Sequence, residues 1–226
     1  MPAPISIVIP TLNSEAELPG CLEALMEGLA SGLIRELVIS GGGSQDHTAT
    51  IAEEVGAELL SGAPSRGGQL RRGCEAAQGD WLLILHADTR LSAGWSDAVS
   101  RHLEQGEGRP GYFRLAFRAR GLRPALVAGW ANLRARLFGL PYGDQGLLVR
   151  RSDYEAMGGY PDQPLMEDVA LSLRLKGLVE IPVQARTSAA RYERDGWLRR
   201  GARNLWTLTR YALGVSPERL ARAYRK

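Results

Sequence analysis

The sequence predicts an α/β fold in which a mostly parallel central sheet is flanked by helices. Short apolar segments alternate with helical patterns through the first half of the chain. The most apolar of them, Trp81–Leu85, ends abruptly in His86, Ala87 and Asp88. Such a run is typical of a strand buried on both faces, as in parallel sheets. A hydrophobic content of 44% and a charged content of 23% are ordinary for a globular domain of 226 residues.

Four strands and the helices between them account for the first half. The capping-box pattern Ser14-x-x-Glu17 predicts a helix that continues to about Leu29. Further helices are expected from Thr48 to Val55 and, after a loop, between Ser65 and Gln78. This order of strands and helices implies a parallel sheet with helices on both faces. The four strands are predicted at Ile5–Ile9, Glu36–Ser40, Ala57–Leu60 and Trp81–Leu85.

The second half has a less regular pattern. Alternating residues from Tyr112 to Arg118 predict a strand with one exposed face. A helix from Met166 is expected to stop at Gly177. No internal repeat or long linker is evident, so we expect one domain. The other helices are predicted at Trp95–Leu103, Leu126–Phe138 and Trp197–Leu213, and the other strands at Gly146–Val149 and Val179–Val183.

Positive charge is concentrated at the C-terminal end, although the net charge is only +3. The segment 191–226 holds ten Arg or Lys residues and three acidic ones. In the helix predicted there, Arg199, Arg203 and Arg210 share a face with Trp206, a pattern compatible with a membrane surface. The alternative is that the other face docks on the domain, and both can hold. That face carries Leu198, Leu205, Leu208 and Ala212.

Cysteine usage and targeting signals point to the cytoplasm. Cys21 and Cys74 lack metal-type spacing and lie in predicted helices, so we expect buried free thiols in a reducing compartment. We see no signal-peptide pattern and no apolar run near the ~20 residues that span a bilayer. We therefore expect a cytoplasmic protein, with peripheral contact to the inner face of the membrane as an option.

The first candidate site is Asp88, which follows the most buried predicted strand. Ligands of open α/β sheets bind at the carboxyl ends of such strands. Hard cations such as Mg²⁺ take oxygen ligands, often one or two carboxylates plus substrate phosphates. His86 lies two residues earlier and shares the face of Asp88 in an extended segment. It is either a second ligand, which suits Mn²⁺ better, or a residue that orients Asp88 or simply packs.

The second candidate site is the pair Glu167 and Asp168 at a predicted helix start. Carboxylates there favour the positive end of the helix dipole, which is a purely structural explanation. The functional interpretation is that one of them accepts the proton of an attacking hydroxyl. Neighbours on a helix diverge by about 100°, so one would face the cleft and the other would hold a basic partner.

Two loops have residues that suit ligand binding, one through close approach of a ligand to its main chain and the other through contact with phosphate. Gly42 and Gly43 allow close backbone approach, whereas Ser44 and Asp46 are typical helix caps. The run Ser65-Arg66-Gly67-Gly68-Gln69 offers an arginine beside a helix start. A Ser-His-Asp hydrolase and a Cys/His zinc site are disfavoured, because three histidines exist and none follows a nucleophile elbow.

Taken together these motifs resemble the family 2 glycosyltransferases with the GT-A fold, a match that spans most of the chain. Residues 7–13 are similar to the family's opening strand and nucleotide-side loop, and Gly42–Thr48 to its second-strand loop. The segment 85–89 occupies the place of the family's Asp-x-Asp metal motif. The segment 166–168 resembles the family's Glu-Asp segment, which provides the catalytic base. Segments 85–91, 139–146, 164–169 and 214–220 also resemble the bacterial radical-SAM/selenodomain-associated transferase 2 group.

The resemblance implies an inverting transfer from a nucleoside-diphosphate sugar to an unknown hydroxyl acceptor, assisted by Mn²⁺ or Mg²⁺. It implies a nucleotide-binding half over 1–90, an acceptor half over 91–190 and the basic helical segment 191–226. Asp168 would be the base, Glu167 its orienting partner, and Asp88 with His86 the metal ligands. Asp144 and Gln145 would touch sugar or acceptor. Expected donor contacts are Pro10, Thr11, Asn13, Gly42, Ser44, Asp46, Arg66, Gln69, Ala87, Asp88 and Arg191.

One position departs from the family pattern. The family usually has an Asp just before Gly-Gly-Ser, where it contacts the nucleotide base, and this chain has Gly41. A degenerate, non-catalytic nucleotide- or glycan-binding module is therefore an alternative. A nucleotidyltransferase is disfavoured because no lysine precedes Lys176. We expect no nucleic-acid partner.

Overall fold

The computed structural model describes residues 3–224. Residues 1–2 of the predicted nucleotide-binding half and residues 225–226 of the predicted basic segment, including Lys226, lie outside the described residues. Among the described residues, eight strands form one sheet in the order β3-β2-β1-β4-β7-β6-β8-β5. They are β1 Ile5–Thr11, β2 Ile34–Gly41, β3 Glu58–Ser61, β4 Trp81–Ile84, β5 Arg90–Leu91, β6 Gly111–Phe117, β7 Leu147–Arg150 and β8 Val179–Thr187.

In the described part of the chain, ten helices and one 3₁₀ turn, Gly143–Gln145, lie between the strands or after the last one. Within residues 3–224, no helix combines the length and apolar character needed to cross a bilayer. The helices are α1 Leu18–Ala30, α2 Thr48–Glu54, α3 Arg66–Ala76, α4 Trp95–Gln105, α5 Leu122–Phe138, α6 Arg151–Ala156, α7 Glu167–Ser172, α8 Ala190–Asp195, α9 Trp197–Ala212 and α10 Pro217–Tyr224.

The predicted α/β architecture is confirmed. Strands β3, β2, β1 and β4 pair in parallel, whereas β7 joins β4 and β6 antiparallel. Strand β1 alternates between the two faces, since Ile7 packs with α1 and α4 while Val8 packs with α3. Helix α3 lies so close to the sheet that a Cβ on Gly73 would stand 2.6 Å from Val8. Strands β1 and β4 are neighbours although β2 and β3 intervene in the chain, which makes their carboxyl ends a switch point for ligands.

The predicted capping box at Ser14 and Glu17 is wrong. Helix α1 begins at Leu18 without a side-chain cap, and the main-chain N–H groups of Glu17 and Leu18 donate to the Ser14 carbonyl. The Glu17 carboxylate instead forms an ion pair with Arg118. The main-chain N–H of Glu15 donates to the Asp46 carboxylate, and this long-range hydrogen bond holds the residues before α1 in a non-helical conformation.

Two elements of the second half differ from the prediction. Helix α7 starts at Glu167 and ends at Ser172, not at Lys176. Just beyond this end, the guanidinium of Arg174 donates to the carbonyls of Met157 and Gly159 at 2.5 and 2.6 Å. Strand β6 has one buried face, with Phe113, Leu115 and Phe117, and its other face is less exposed than predicted, since Arg114 is exposed but Tyr112 is buried.

The predicted docking of α9 through its leucines is also wrong. Leu198 is 78% exposed and Leu205 47% exposed, and the buried positions are Arg200 and Thr207. Leu208 does pack, in a small cluster with α10. Arg203 turns inward and donates to Asp195 at 2.8 Å. The apolar face of α9 therefore points outward. Cys21 and Cys74 are free and buried, as predicted.

Candidate active site

A cavity of about 120 Å³ opens beyond the carboxyl end of β4. Segments from both halves of the sequence line it, because the loops after β4 and β8 and the start of α7 converge there. Seven of the predicted site residues meet in this cavity. They are Arg66, His86, Asp88, Asp144, Glu167, Asp168 and Arg191.

His86 is held by an arginine and not by a carboxylate. Its Nε2 lies 3.1 Å from the Arg66 Nη2, which can only donate, so Nε2 is the acceptor. Burial and the nearby Arg66 and Arg191 hold the pKa of His86 well below its usual value. The imidazole is therefore neutral, and its Nε2 lone pair is already used.

Asp88 is the carboxylate that fits a divalent cation. Within residues 3–224 no three His, Cys, Asp or Glu side chains are grouped to hold a metal ion. A cation bound to a diphosphate needs only one or two protein carboxylates. Asp88 is partly open to the cavity, and burial raises its pKa, which an adjacent cation would counteract. In this arrangement Arg66 contacts the Nε2 of His86, so a cation could reach this ring only through Nδ1, and the predicted ligand role of His86 stays a prediction.

Glu167 and Asp168 diverge at the start of α7. Met166, the residue before the helix, has a left-handed φ of 63°, which turns the chain sharply into the cavity. Asp168 Oδ2 accepts from the Gly143 N–H at 2.8 Å, so the carboxylate is held against the opposite wall. Backbone strain of this kind at a cavity wall is typical of functional sites.

Of the two carboxylates, Glu167 is the one that pairs with a basic residue, Arg66. Its carboxylate is 1% exposed and lies 3.3 Å from the Arg66 Nε. Burial raises the pKa of Glu167, and the Arg66 charge opposes that rise. Arg66 thus bridges Glu167 and His86, which links α7 to the segment after β4.

Asp144 and Gln145, both predicted to contact sugar or acceptor, lie in the turn Gly143–Gln145, but only Asp144 faces the cavity. Gln145 is fully buried: its Oε1 accepts from Arg134 and its Nε2 donates to the Phe113 carbonyl at 3.2 Å. Its predicted contact with sugar or acceptor is therefore wrong. Asp144 lines the cavity, its Oδ1 is buried without a protein partner, and burial raises its pKa to about 6.

The predicted nucleotide-side loops are tied to each other. The Asn13 N–H donates to Ser44 Oγ at 3.0 Å, and Asp46 accepts from the main-chain N–H groups of Glu15 and Thr48. Asn13 itself has a left-handed φ of 49°. These side chains therefore shape the loops, and Asp46 accepts the N–H of Thr48, the first residue of α2.

The remaining predicted donor residues lie at the end of β1 or beside it. Gln69 is buried and donates to the carbonyls of Thr11 and Ser40 at 2.8 and 2.9 Å, so its amide joins β1 to β2. Pro10 and Thr11 end β1, and Ala87 is buried beside Asp88. Their contact with a donor, like that of Gly42, stays a prediction.

Gly41 has room for a side chain. A Cβ there would find its nearest neighbour, the Leu60 carbonyl oxygen, at 3.5 Å, an ordinary contact. Gly42 differs, since a Cβ would press on Gln69 at 2.8 Å. Packing therefore explains the glycine at 42 and not the one at 41.

The C-terminal helices add a wall that the motifs did not reveal. Arg200 donates to Asp195 at 2.7 Å and to the Tyr224 hydroxyl at 3.0 Å. Tyr224 in turn donates to Asn204, which donates to Tyr192. Arg200, Asn204 and Tyr224 line the cavity, but their spacing matches no motif, and only the packing of α8, α9 and α10 brings them together.

Solved structures with this fold are known. The chain superposes on Staphylococcus aureus TarS 1-349 with a TM-score of 0.62 and 14% identity, covering 96% of this chain and 68% of that one. It superposes on Mycobacterium tuberculosis glucosyl-3-phosphoglycerate synthase, solved with Mn²⁺ and UDP-glucose, with a TM-score of 0.56 and 23% identity. That match covers 81% of this chain and 71% of the other. The predicted GT-A fold is confirmed.

Sequence relatives match part of the chain. A PGL/p-HBAD biosynthesis glycosyltransferase of Mycobacterium tuberculosis (strain ATCC 25177 / H37Ra) is 39% identical over 99 residues, 40% of this chain and 38% of the relative. The chain thus spans less than two fifths of the length of that curated relative. Residues 6–130, more than half of the chain, match the profile of Glycosyl transferase family 2. The chain therefore belongs to glycosyl transferase family 2.

Proposed function

We propose that the chain transfers a sugar from a nucleoside-diphosphate donor to a hydroxyl acceptor with inversion at the anomeric carbon. The observation that carries the proposal is that Asp88 and Asp168, from opposite halves of the sequence, line one cavity. The family and the UDP-glucose and Mn²⁺ named for a solved relative support donor and cation.

The proposed reaction is a single displacement. Asp168 accepts the acceptor hydroxyl's proton while that oxygen bonds to the anomeric carbon and the carbon–oxygen bond to the diphosphate breaks. The nucleoside diphosphate leaves with the bonding electron pair. Because attack and departure occur on opposite faces, the configuration inverts. The Gly143 N–H fixes Asp168, and the ion pair with Glu167 aims Arg66 into the cavity.

The donor diphosphate needs positive charge at the end of β4. Arg66 and Arg191 line the cavity there, and guanidinium groups suit phosphate oxygens. Asp88 would hold Mn²⁺ or Mg²⁺, which when bound supplies a charge that stabilises the leaving diphosphate. His86 is proposed as a neutral support for Arg66.

The first experiment is a thermal-shift panel of UDP, GDP, dTDP, ADP and CDP, each with and without Mn²⁺. We expect one nucleotide to raise the Tm in a Mn²⁺-dependent way, which names the base of the donor. Slow hydrolysis of the corresponding donor sugar should then vanish in Asp88→Ala. Hydrolysis that survives this substitution contradicts the metal assignment.

The base is tested separately. Asp168→Asn should still bind donor but lose transfer by about 10²-fold or more, because the general base is absent. Transfer at a near-normal rate would show that another group takes the proton.

A second candidate function is a non-catalytic nucleotide- or glycan-binding module, favoured by Gly41. It would bind a nucleotide in the panel and hydrolyse no donor under any metal condition. Asp88→Ala would then change nucleotide affinity alone.

Peripheral membrane contact through the C-terminal helix is also proposed. Arg199 and Trp206 are exposed on α9, and basic helices with Trp bind anionic interfaces. Co-sedimentation with anionic liposomes at low salt, lost at high salt, is the expected result. Failure to co-sediment counts against it.

A further inference from the structure

Helices α5 and α9 lie side by side and expose a joint apolar surface. Nine of the fifteen exposed large apolar side chains in residues 3–224 lie on them. We call eight of these nine, all except Phe138 at the end of α5, the α5/α9 surface. On α5 they are Leu122, Leu126, Trp130, Leu133 and Leu137, spaced so that they follow one helical face. On α9 they are Leu198, Leu205 and Trp206.

The positive charge of α5 and α9 favours an anionic partner for this surface. Neither α5 nor α9 contains an Asp or Glu, whereas Arg123, Arg136 and Arg199 are exposed on them. A second copy of the chain seated face to face would bring arginines against arginines. An anionic bilayer complements both features, since it accepts leucine and tryptophan at its surface and attracts arginine.

A groove connects this surface to the candidate active site. Between the helices it is lined by Val127, Trp130, Leu205 and Leu208. At its inner end it reaches Asp144 and Tyr192, which also line the catalytic cavity. Its volume is about 40 Å³, room for about three water-sized groups, which suits a short stretch of a hydrocarbon chain.

We propose that the acceptor is a bilayer-embedded amphiphile that presents its hydroxyl head to Asp168 while its hydrocarbon chain lies in the α5/α9 groove. This proposal rests on the proposed glycosyl transfer and names its acceptor class. The groove explains why apolar side chains continue from the solvent-facing surface to Asp144. The surface explains how such an acceptor is reached without leaving the bilayer.

The groove is tested with a glycine pair. A Cβ on Gly201, which lines the groove, or on Gly129, which does not, would have no neighbour within 4 Å, so neither backbone position obstructs the start of a leucine side chain. The probe is myristoyl lysophosphatidylglycerol below its critical micelle concentration, compared with its headgroup, glycerophosphoglycerol, by calorimetry. We expect the chain-bearing probe to bind at least about tenfold more tightly than the headgroup. Gly201→Leu should remove that advantage, and Gly129→Leu should keep it.

Either of two results overturns the groove assignment: equal affinity for lipid and headgroup, or undiminished lipid binding by Gly201→Leu. Donor hydrolysis is measured as well, and Gly129→Leu should match the wild type. Absent hydrolysis in the wild type refutes the proposed function, whereas lipid binding is measured without donor and is judged separately.

The bilayer is tested with vesicles of phosphatidylcholine and phosphatidylglycerol that carry brominated acyl chains. Trp130 and Trp206 are 49% and 62% exposed, so their fluorescence should be quenched on contact. Leu205→Glu should abolish quenching, whereas Leu29→Glu, at a residue 54% exposed on α1, should not. Quenching equal in both variants contradicts the proposal. So does a stable dimer in sedimentation that Leu205→Glu dissociates, which assigns the surface to a second copy.

Discussion

At the scale of single residues, the cavity depends on a few side chains whose partners are unusual. Arg66 joins Glu167 to His86, and the Gly143 N–H holds Asp168. Asp144 has a buried oxygen without a protein partner. A buried polar group without a partner lowers the free energy of unfolding, and beside a cavity its oxygen is available to a ligand. Two substitutions test this scale.

Asp144→Asn should stabilise the fold in a pH-dependent way. Burial raises the pKa of Asp144 to about 6, above the unfolded value of about 4. Between about pH 4 and pH 6 the unfolded chain releases this proton while the folded chain keeps it, so the wild type loses stability across that window. The Tm advantage of the variant should be near zero below about pH 4 and full above about pH 6, at roughly 2–4 °C per kcal/mol.

The measurement is Tm against pH, and the exposed Asp80→Asn serves as the matched control. Parallel curves for wild type and Asp144→Asn would contradict the burial argument. Transfer to acceptor should fall in Asp144→Asn but not in the control, since only Asp144 lines the cavity.

Gly41→Asp should increase nucleotide affinity. The position has space for a Cβ, and the family resemblance places a base-contacting carboxylate there. A gained hydrogen bond of ~1.4 kcal/mol corresponds to about tenfold in Kd. Gly41→Ala adds the Cβ without the carboxylate and should bind like the wild type. Equal affinities of the Asp and Ala variants would show that this carboxylate does not read the base.

At the scale of elements, side chains form long-range hydrogen bonds at the ends of strands and helices. Just beyond the end of helix α7, Arg174 donates to the carbonyls of Met157 and Gly159. The ends of β1 and β2 are joined by Gln69 from α3. The loops that we propose for donor binding begin at these strand ends, so their geometry depends on α3.

Gln69→Ala should loosen both strand ends. Its two buried hydrogen bonds would be lost, at about 1–3 kcal/mol of unfolding free energy, or roughly 2–4 °C of Tm per kcal/mol. Nucleotide binding should weaken as well. Glu75→Gln on the same helix breaks only the exposed pair with Arg71 and should change stability by less than about 1 kcal/mol. Equal Tm values for the two variants would show that the amide does not hold the strands.

At the scale of the whole molecule, Asp195 connects the C-terminal helices. It accepts from Arg194, Arg200 and Arg203 at 2.9, 2.7 and 2.8 Å. Arg200 extends the contact to Tyr224 of α10, so one carboxylate ties α8, α9 and α10 beside the cavity. These hydrogen bonds and charges lower the pKa of Asp195 to about 2.

Asp195→Asn should loosen residues 190–224 while leaving β1 to β4 intact. The buried guanidinium of Arg200 would lose its anion, which is destabilising in a packed environment. Faster amide hydrogen exchange confined to that segment is expected, with exposed Glu193→Gln as the control. Because the pKa is depressed, the contribution is present above about pH 4 and is lost as the pH falls through about 2. Unchanged exchange in the segment would contradict the role of Asp195.

Local pattern by itself determined the first half of the fold. Apolar strands followed by glycine, serine or aspartate have a strong local signature, and the predicted strands fall within about two residues of β1 to β4. The positions of Asp88 at a strand end and of Glu167 and Asp168 at a helix start followed from the same signals. The family followed from the order of those motifs along the chain.

Tertiary structure alone decided which side chains remain available. Gln145 and Gln69 look like ligand contacts in sequence, but packing buries their amides against main-chain carbonyls. The sequence of α9 is amphipathic whichever face docks, and the bonds of Arg200 to Asp195 and Tyr224 turn its leucines outward. Local pattern records how polar a residue is. It does not show which distant donor or acceptor forms a hydrogen bond with that residue, because long-range packing determines that partner.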